Sequence, residues 1–260
     1  MISELDKIPF AGIHIDNLSQ EEALDKIREL LKSKHLGYVV TPNAQHINIL
    51  QNDKEFKKIY DEAALVLADG MSIVFSLKIL GQPLKEKCSG ADLFNNIIRL
   101  AAAQNKKLFI LGGINGSEKI AEEKAGCRYP NLHIQSYSPP RGFEHNSEET
   151  QSILQKIIAH ETDVLLVCVG SPKSEKWIYR NQGVLNGCLS FIVGDSVNFF
   201  AGIKKRAPKW MRKSGLEWLY RLAKEPHRLW RRYLIGNTRF ALIFFRELWN
   251  RLNKKSEIDS

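Results

Sequence analysis

Four cysteines in 260 residues, none in a Cys-x-x-Cys pair, leave little material for a disulfide framework or a thiolate metal site. Cys168 and Cys188 lie in or beside apolar runs, where a free thiol packs as a small hydrophobe, so reduced thiols in a cytoplasmic protein are expected. There is no Asp-x-Asp, and His46, His133, His145 and His160 are scattered without a pair at helical spacing, so no metal site is expected. The absence of Gly-x-x-x-x-Gly-Lys-Ser/Thr excludes a P-loop. The one glycine-rich turn, Gly112–Gly116, is not the dinucleotide fingerprint either, so no nicotinamide cofactor is implied, nor any other cofactor. Met1–Phe10 lacks the basic stretch and apolar run of a secretory signal. The strongly apolar run near the C-terminus, Phe240–Phe245, falls far short of the roughly 18 residues a spanning helix needs.

What is present is alternation. Short apolar runs at Phe10–Ile15, Tyr38–Val40, Leu65–Ala68, Leu108–Leu111, Leu132–Gln135, Val164–Val169 and Ser190–Val193 read as strands. Amphipathic stretches separate them, the first opened by the capping box Ser19-x-x-Glu22. Thr41–His46 reads as a loop. The pattern predicts an α/β fold: a Rossmann-like, mostly parallel sheet with helices on both faces. Such sheets bind ligands in the crevice at the carboxyl ends of their strands. The polar punctuation falls there, at Thr41–Asn43, Asp69-Gly70, Gly112–Gly116, Gly170–Lys173 and Gly194-Asp195.

Two of these loops invite a chemical reading. The Gly112–Gly116 turn, between strand and helix, fits either an anion cradle made of backbone N–H groups or a plain tight turn. Asp69 follows four apolar strand residues, where partial desolvation raises a carboxyl toward the pKa of a useful base. The alternative is an ordinary Asp-Gly turn.

Charge divides the chain. Residues 204–255 hold sixteen lysines and arginines against Glu217, Glu225 and Glu247, a net of +13, whereas residues 1–203 come to −2. Four of the five tryptophans also fall in this segment, and Pro208 and Pro226 mark helix starts. The sequence therefore predicts two units: a near-neutral α/β body over 1–203 and a basic, aromatic, α-helical C-terminal appendage over 204–260. Arginines mixed with Trp218, Tyr220, Trp230 and Tyr233 suit an anionic membrane surface. Nucleic acid would attract the same mixture, as would solvent on a packed helix. Phe240, Ile243, Phe244, Leu248 and Leu252 at helical spacing favour a membrane or a partner helix over RNA.

Eight motifs in order resemble the WecG/TagA/CpsF family of bacterial glycosyltransferases, from about Phe10 to Tyr233. They are Thr41–His46, Ala68–Met71, Glu86–Leu93, Leu111–Gly113, Gly170–Trp177, Arg206–Pro208, Gly215–Arg221 and Glu225–Tyr233. The resemblance implies an inverting, metal-independent transfer from a UDP-sugar to an undecaprenyl-diphosphate-linked sugar in cell-surface polysaccharide synthesis. Asp69 matches the general base, and Lys87 stands where the family usually has arginine, as the cation for the leaving diphosphate. Thr41 and Asn43 match the substrate loop. Gly112, Gly113, Ser171, Lys173, Ser174 and Glu175 join the substrate contacts, with Ser174 where glutamine is usual. Arg228, Arg231 and Arg232 would meet the acceptor's diphosphate at the membrane.

The expected partners are thus a UDP-sugar, a polyprenyl-diphosphate-linked acceptor and an anionic membrane surface at the inner face of the cell membrane. Nucleic acid is not among them, and a homo-oligomer is compatible with the sequence. Two other classes compete: a catalytically weak binding protein of a polysaccharide assembly complex, and a basic RNA-binding α/β protein. Loops of the acceptor-binding kind argue against the latter.

Overall fold

The computed structural model describes residues 7–32 and 37–258, with the side chains of Arg228, Arg232 and residues 254–258 outside the described ones. The chain opens on a hairpin, β1 (Lys7–Phe10) and β2 (Ile13–Asp16), paired with Phe10 opposite Ile13. The single strand expected over Phe10–Ile15 is therefore two. Ala11 and Gly12 both take positive φ, 50° and 88°, and such a two-residue turn reverses the chain in step with the strand twist.

Six strands form one parallel sheet: β3 (Tyr38–Val40), β4 (Leu65–Val66), β5 (Leu108–Leu111), β6 (Ile134–Tyr137), β7 (Val164–Val167) and β8 (Leu189–Ile192). Their spatial order is β4-β3-β8-β7-β5-β6. β6 begins two residues later than the sequence indicates, because Ile134 is the residue that pairs with Leu108. Strand residues alternate between two apolar layers: Phe109, Leu111, Leu165 and Val167 enter one, and Leu108, Ile110, Val164 and Leu166 the other. Both faces are covered, which is why these strands are apolar throughout.

One face carries α1 (Gln20–Leu30), α5 (Gly90–Ala103), α6 (Ser117–Arg128) and α9 (Ser196–Ala201). The other carries α2 (Ala44–Leu50), α3 (Lys54–Asp61), α4 (Met71–Ile79), α7 (Ser147–Ala159) and α8 (Lys173–Asn181). The capping box of α1 forms in full, with the Glu22 N–H on Ser19 Oγ and the Ser19 N–H on Glu22 Oε2. Part of the loop expected over Thr41–His46 is helix: Asn43 accepts from the Gln45 N–H at 2.9 Å and caps α2.

Topology places the crevice. β5 leads outward to β6 and β7 leads the other way to β8, so the loops after β5 and β7 diverge. Open α/β sheets bind ligands at such a switch point.

Beyond residue 203 come α10 (Lys209–Lys213), α11 (Glu217–Lys224) and the 33-residue α12 (Pro226–Ile258). α12 lies along α2. Phe240 is buried against Phe10, Asn48 Nδ2 donates to the Gly236 carbonyl at 2.8 Å, and the Arg251 guanidinium reaches the carbonyls of Leu80 and Pro9. The outward face exposes Leu234, Leu242, Phe245, Trp249 and Leu252. Among the described residues no helix is long and apolar enough to cross a membrane.

Candidate active site

Two cavities open at the carboxyl ends of the strands and meet at Asp69. The first, about 860 Å³, is walled by the loops after β3, β5, β7 and β8 and by α11. The second, about 1030 Å³, lies between α2, the start of α4 and α12. Asn43, Gln45, Asp69, Glu217, Arg221 and Tyr233 line both.

Asp69 is held from three directions. Its N–H donates to the Pro42 carbonyl at 2.9 Å, which ties it to the β3 loop. The Gly90 N–H at the start of α5 faces its carboxyl, and Lys87 and Arg221 stand near enough for their charges to act. Desolvation nevertheless dominates and pushes the carboxyl up to about 6, with Lys87, Arg221 and the Gly90 N–H pulling the other way. Asp69 keeps some surface toward the cavities while protein crowds its other sides. A carboxyl in this setting ionises just below neutral pH and is matched to take a proton there.

The first cavity brings together Thr41, Asn43, Asp69, Gly112, Gly113, Ser171, Lys173 and Glu175. Several are already committed. Thr41 Oγ1 donates to the Ile192 carbonyl at 3.1 Å, and Lys173 Nζ is paired with Glu144 at 2.7 Å. Ser174 is fully buried, its hydroxyl donating to the Gly170 carbonyl at 3.1 Å, and it lines neither cavity. It sits on the inner side of α8's first turn. Lys87 lines the second cavity and not the one that holds Gly112 and Gly113. Arg231 lines that second cavity too. The side chains of Arg228 and Arg232 lie outside the described residues.

Gly112 and Gly113 of the β5 loop are closely packed. A Cβ on Gly112 would come within 2.6 Å of Val169 Cγ1 and 2.8 Å of the Cys168 carbonyl carbon, so its absence lets the β5 and β7 loops touch. The Ile114 N–H is taken by Ser117 Oγ at 2.9 Å and Asn198 Oδ1 at 3.2 Å, and the buried Glu118 carboxylate stands beside Gly113. The N–H groups of Gly112 and Ile114 are thus used inside the protein, the former on the Tyr137 carbonyl at 2.8 Å.

Further positive charge in the first cavity comes from residues that the sequence did not single out as substrate contacts, among them Lys204, Lys205, Arg206, Arg221 and Lys224. Arg206 grips the start of α5, with Nη1 2.6 Å from Asp92 Oδ1 and Nη2 2.7 Å from Ser89 Oγ. Burial alone would raise Asp92, but the hydrogen bonds from Arg206 and Ser89 hold it below the usual carboxylate range. Lys204 bridges Asp195 at 2.8 Å and Glu225 at 3.1 Å, linking the β8 loop to the start of α12. Glu217 and Arg221 form an i,i+4 pair at 2.9 Å. Arg206, Glu217, Tyr220 and Arg221 all lie inside the ordered motifs, which was the available signal, yet only the folded chain carries them to the cavity. Among the described residues no group of three His, Cys, Asp or Glu could hold a metal ion.

The site is thus a desolvated carboxyl between two cavities at the switch point of a doubly wound parallel sheet. The chain belongs to the Glycosyl transferase WecG/TagA/CpsF family, whose pattern it matches over residues 8–254, and it is a glycosyltransferase. It is 28% identical to the N-acetylglucosaminyldiphosphoundecaprenol N-acetyl-beta-D-mannosaminyltransferase of Staphylococcus aureus strain MW2, covering 93% of this chain and 92% of that protein. The protein of the same description from strain NCTC 8325 / PS 47 is also 28% identical, covering 84% and 85%.

Proposed function

We propose that the protein transfers a sugar, with inversion, from a UDP-sugar to a sugar carried on undecaprenyl diphosphate. The observation that carries this reading is the position of Asp69 in the wall shared by two cavities. One cavity takes the nucleotide sugar at the switch point of the sheet, and the other takes the acceptor. Asp69 removes the proton of the acceptor hydroxyl as its oxygen attacks the anomeric carbon. The glycosidic bond to the diphosphate breaks on the opposite side, and UDP departs with the electron pair. A single displacement of this kind inverts the anomeric centre.

Charge accumulates on the departing diphosphate, and Arg221, with Lys204, Lys205 and Lys224 around the same cavity, supplies the opposite sign. Lys87, on the acceptor side, helps ionise Asp69 and meets the acceptor's own phosphates together with Arg231 and Arg239. The second cavity opens beside the exposed Phe75 and Trp218, apolar surface that suits a polyprenyl chain entering from a bilayer. The net charge of +13 over residues 204–255 and the exposed apolar stripe of α12 support attachment to an anionic membrane face. The Staphylococcus relatives, named for transfer to N-acetylglucosaminyldiphosphoundecaprenol, support N-acetylmannosamine as the transferred sugar and that lipid as acceptor.

The test offers the purified protein a panel of UDP-sugars and a short-chain GlcNAc-diphospho-lipid, with and without EDTA, and identifies product by mass spectrometry. A disaccharide-diphospho-lipid that forms equally well in EDTA is expected. UDP binding without product across the panel would leave a binding protein, and a strict divalent-metal requirement would overturn the cationic neutralisation.

A further inference from the structure

Glu175, in the first turn of α8, is 1% exposed, and neither of its carboxyl oxygens meets a well-directed hydrogen bond. Burial pushes it up to about 7, with its own N–H and the Ser171 hydroxyl pulling the other way. Its neighbours are few. The buried Tyr60 of α3 senses its charge, and His46 of α2 places Nε2 3.5 Å from Oε1. The other acids of this region, Asp53 and Glu55, are tied to Lys176 and Arg180 on the outer side of α8.

His46 is fixed by what it contacts. Its Nδ1 accepts from the Asn43 N–H at 3.3 Å, so the ring proton belongs on Nε2, facing Glu175. Phe56 and Tyr60 flank the ring, at centroid distances of 6.0 and 6.3 Å. Asn43 in turn uses Oδ1 on the Gln45 N–H, which leaves its side-chain NH₂ as the group to present, and it lines both cavities. A Cβ on Gly70 would lie 3.4 Å from the Asn43 Cα, and Pro42, between Thr41 and Asn43, accepts from the Asp69 N–H.

We propose that Glu175 and His46 are positioning residues: the carboxyl keeps the imidazole in its Nε2–H tautomer, and the imidazole holds the Asn43 backbone so that its amide faces the reacting groups beside Asp69. The role of Asn43 toward substrate rests on the functional reading above, while the Glu175–His46–Asn43 linkage does not. A protonated carboxyl still offers its carbonyl oxygen to Nε2–H, so Glu175→Gln preserves the linkage. Glu175→Leu removes it and leaves an apolar side chain where a poorly satisfied carboxyl stood, which spares stability.

The experiment records ring and backbone ¹⁵N resonances of the full chain and, in parallel, steady-state kinetics. Wild type and Glu175→Gln should show an unprotonated His46 Nδ1 and one common Asn43 amide resonance. In Glu175→Leu the Asn43 amide should move and kcat should fall about 100-fold with KM for the UDP-sugar changed less than about 3-fold, the pattern of misplaced reacting groups. Should Glu175→Leu fail to fold, His46→Phe carries the same two readouts. A protonated Nδ1 in wild type, or an unmoved Asn43 amide in the apolar variant, overturns the proposal. So does an amide that moves with no loss of turnover, which would reduce the pair to helix capping. If wild type transfers no sugar at all, the functional reading fails while the resonances still decide the linkage.

Discussion

The Asp69 N–H donates to the Pro42 carbonyl across 2.9 Å, so the segment that carries the carboxyl after β4 is tied directly to the loop after β3. Neighbouring parallel strands deliver both loops to the same end of the sheet. In the proposed reaction, the short link between them sets where the acceptor hydroxyl meets Asp69.

Asp69→Asn should lower kcat by ~100- to 10,000-fold while UDP binding stays near wild type. With the wild-type carboxyl near 6, turnover should fall on acidification through that value. The sign for stability is the reverse. The native state holds the Asp69 proton where the unfolded chain has lost it, so stability falls as pH rises from about 4 to about 6. Asp69→Asn should therefore be the more stable protein at pH 8, by on the order of 2–3 kcal/mol, and should show no gain below pH 4. Denaturant titrations at the two pH values check this, and an unchanged difference would mean the carboxyl is not desolvated.

Gly112→Ala and Gly116→Ala separate packing from backbone strain. Both positions have positive φ, 98° and 74°, but a Cβ at Gly112 strikes the Cys168–Val169 backbone and side chain, whereas nothing lies within 4 Å at Gly116. Gly116→Ala should cost about 1–2 kcal/mol, the left-handed strain alone. Gly112→Ala should cost at least about 1–3 kcal/mol more, because strand ends must separate. Urea unfolding midpoints of the two variants give the comparison, and equal losses would remove the close contact of the β5 and β7 loops.

Lys204→Ala removes the bridge from Asp195 to Glu225. Amide exchange in α11 and the first turns of α12 should rise about 10-fold, equivalent to about 1.4 kcal/mol of local stability, while β5 and β7 stay protected. Exchange followed by mass spectrometry reads each segment separately. Uniform loss of protection would mean that the bridge supports the whole fold.

The two faces of α12 should separate membrane affinity from folding. Replacing Leu242, Phe245, Trp249 and Leu252, all more than half exposed, with serine should abolish flotation with phosphatidylglycerol liposomes and leave the melting temperature unchanged. Phe240→Ala, on the inward face, should instead cost about 3 kcal/mol. Flotation that survives the serine substitutions would assign the exposed stripe to a protein partner.

The sequence by itself determined most of the elements and the end of the sheet at which the cavities open. Leu108–Leu111 was legible to the residue, because an apolar run is a local signal. Asp69 was legible as a candidate base, because an acid directly after an apolar strand is a local pattern as well. The hairpin at Ala11-Gly12 was not, since Phe10–Ile15 reads as one apolar stretch and the first turn position is an alanine, which rarely takes the positive φ it has here. Tertiary structure alone decided how side chains are used. Ser174 points inward by helix rotation, Lys87 serves the second cavity, and Arg206, Lys204 and Arg221 come to the first from more than a hundred residues beyond Asp69. Local propensity fixes which backbone forms. The direction a side chain faces, and the charge it meets there, depend on contacts between residues far apart in the chain, which exist only once the two layers have closed on the sheet.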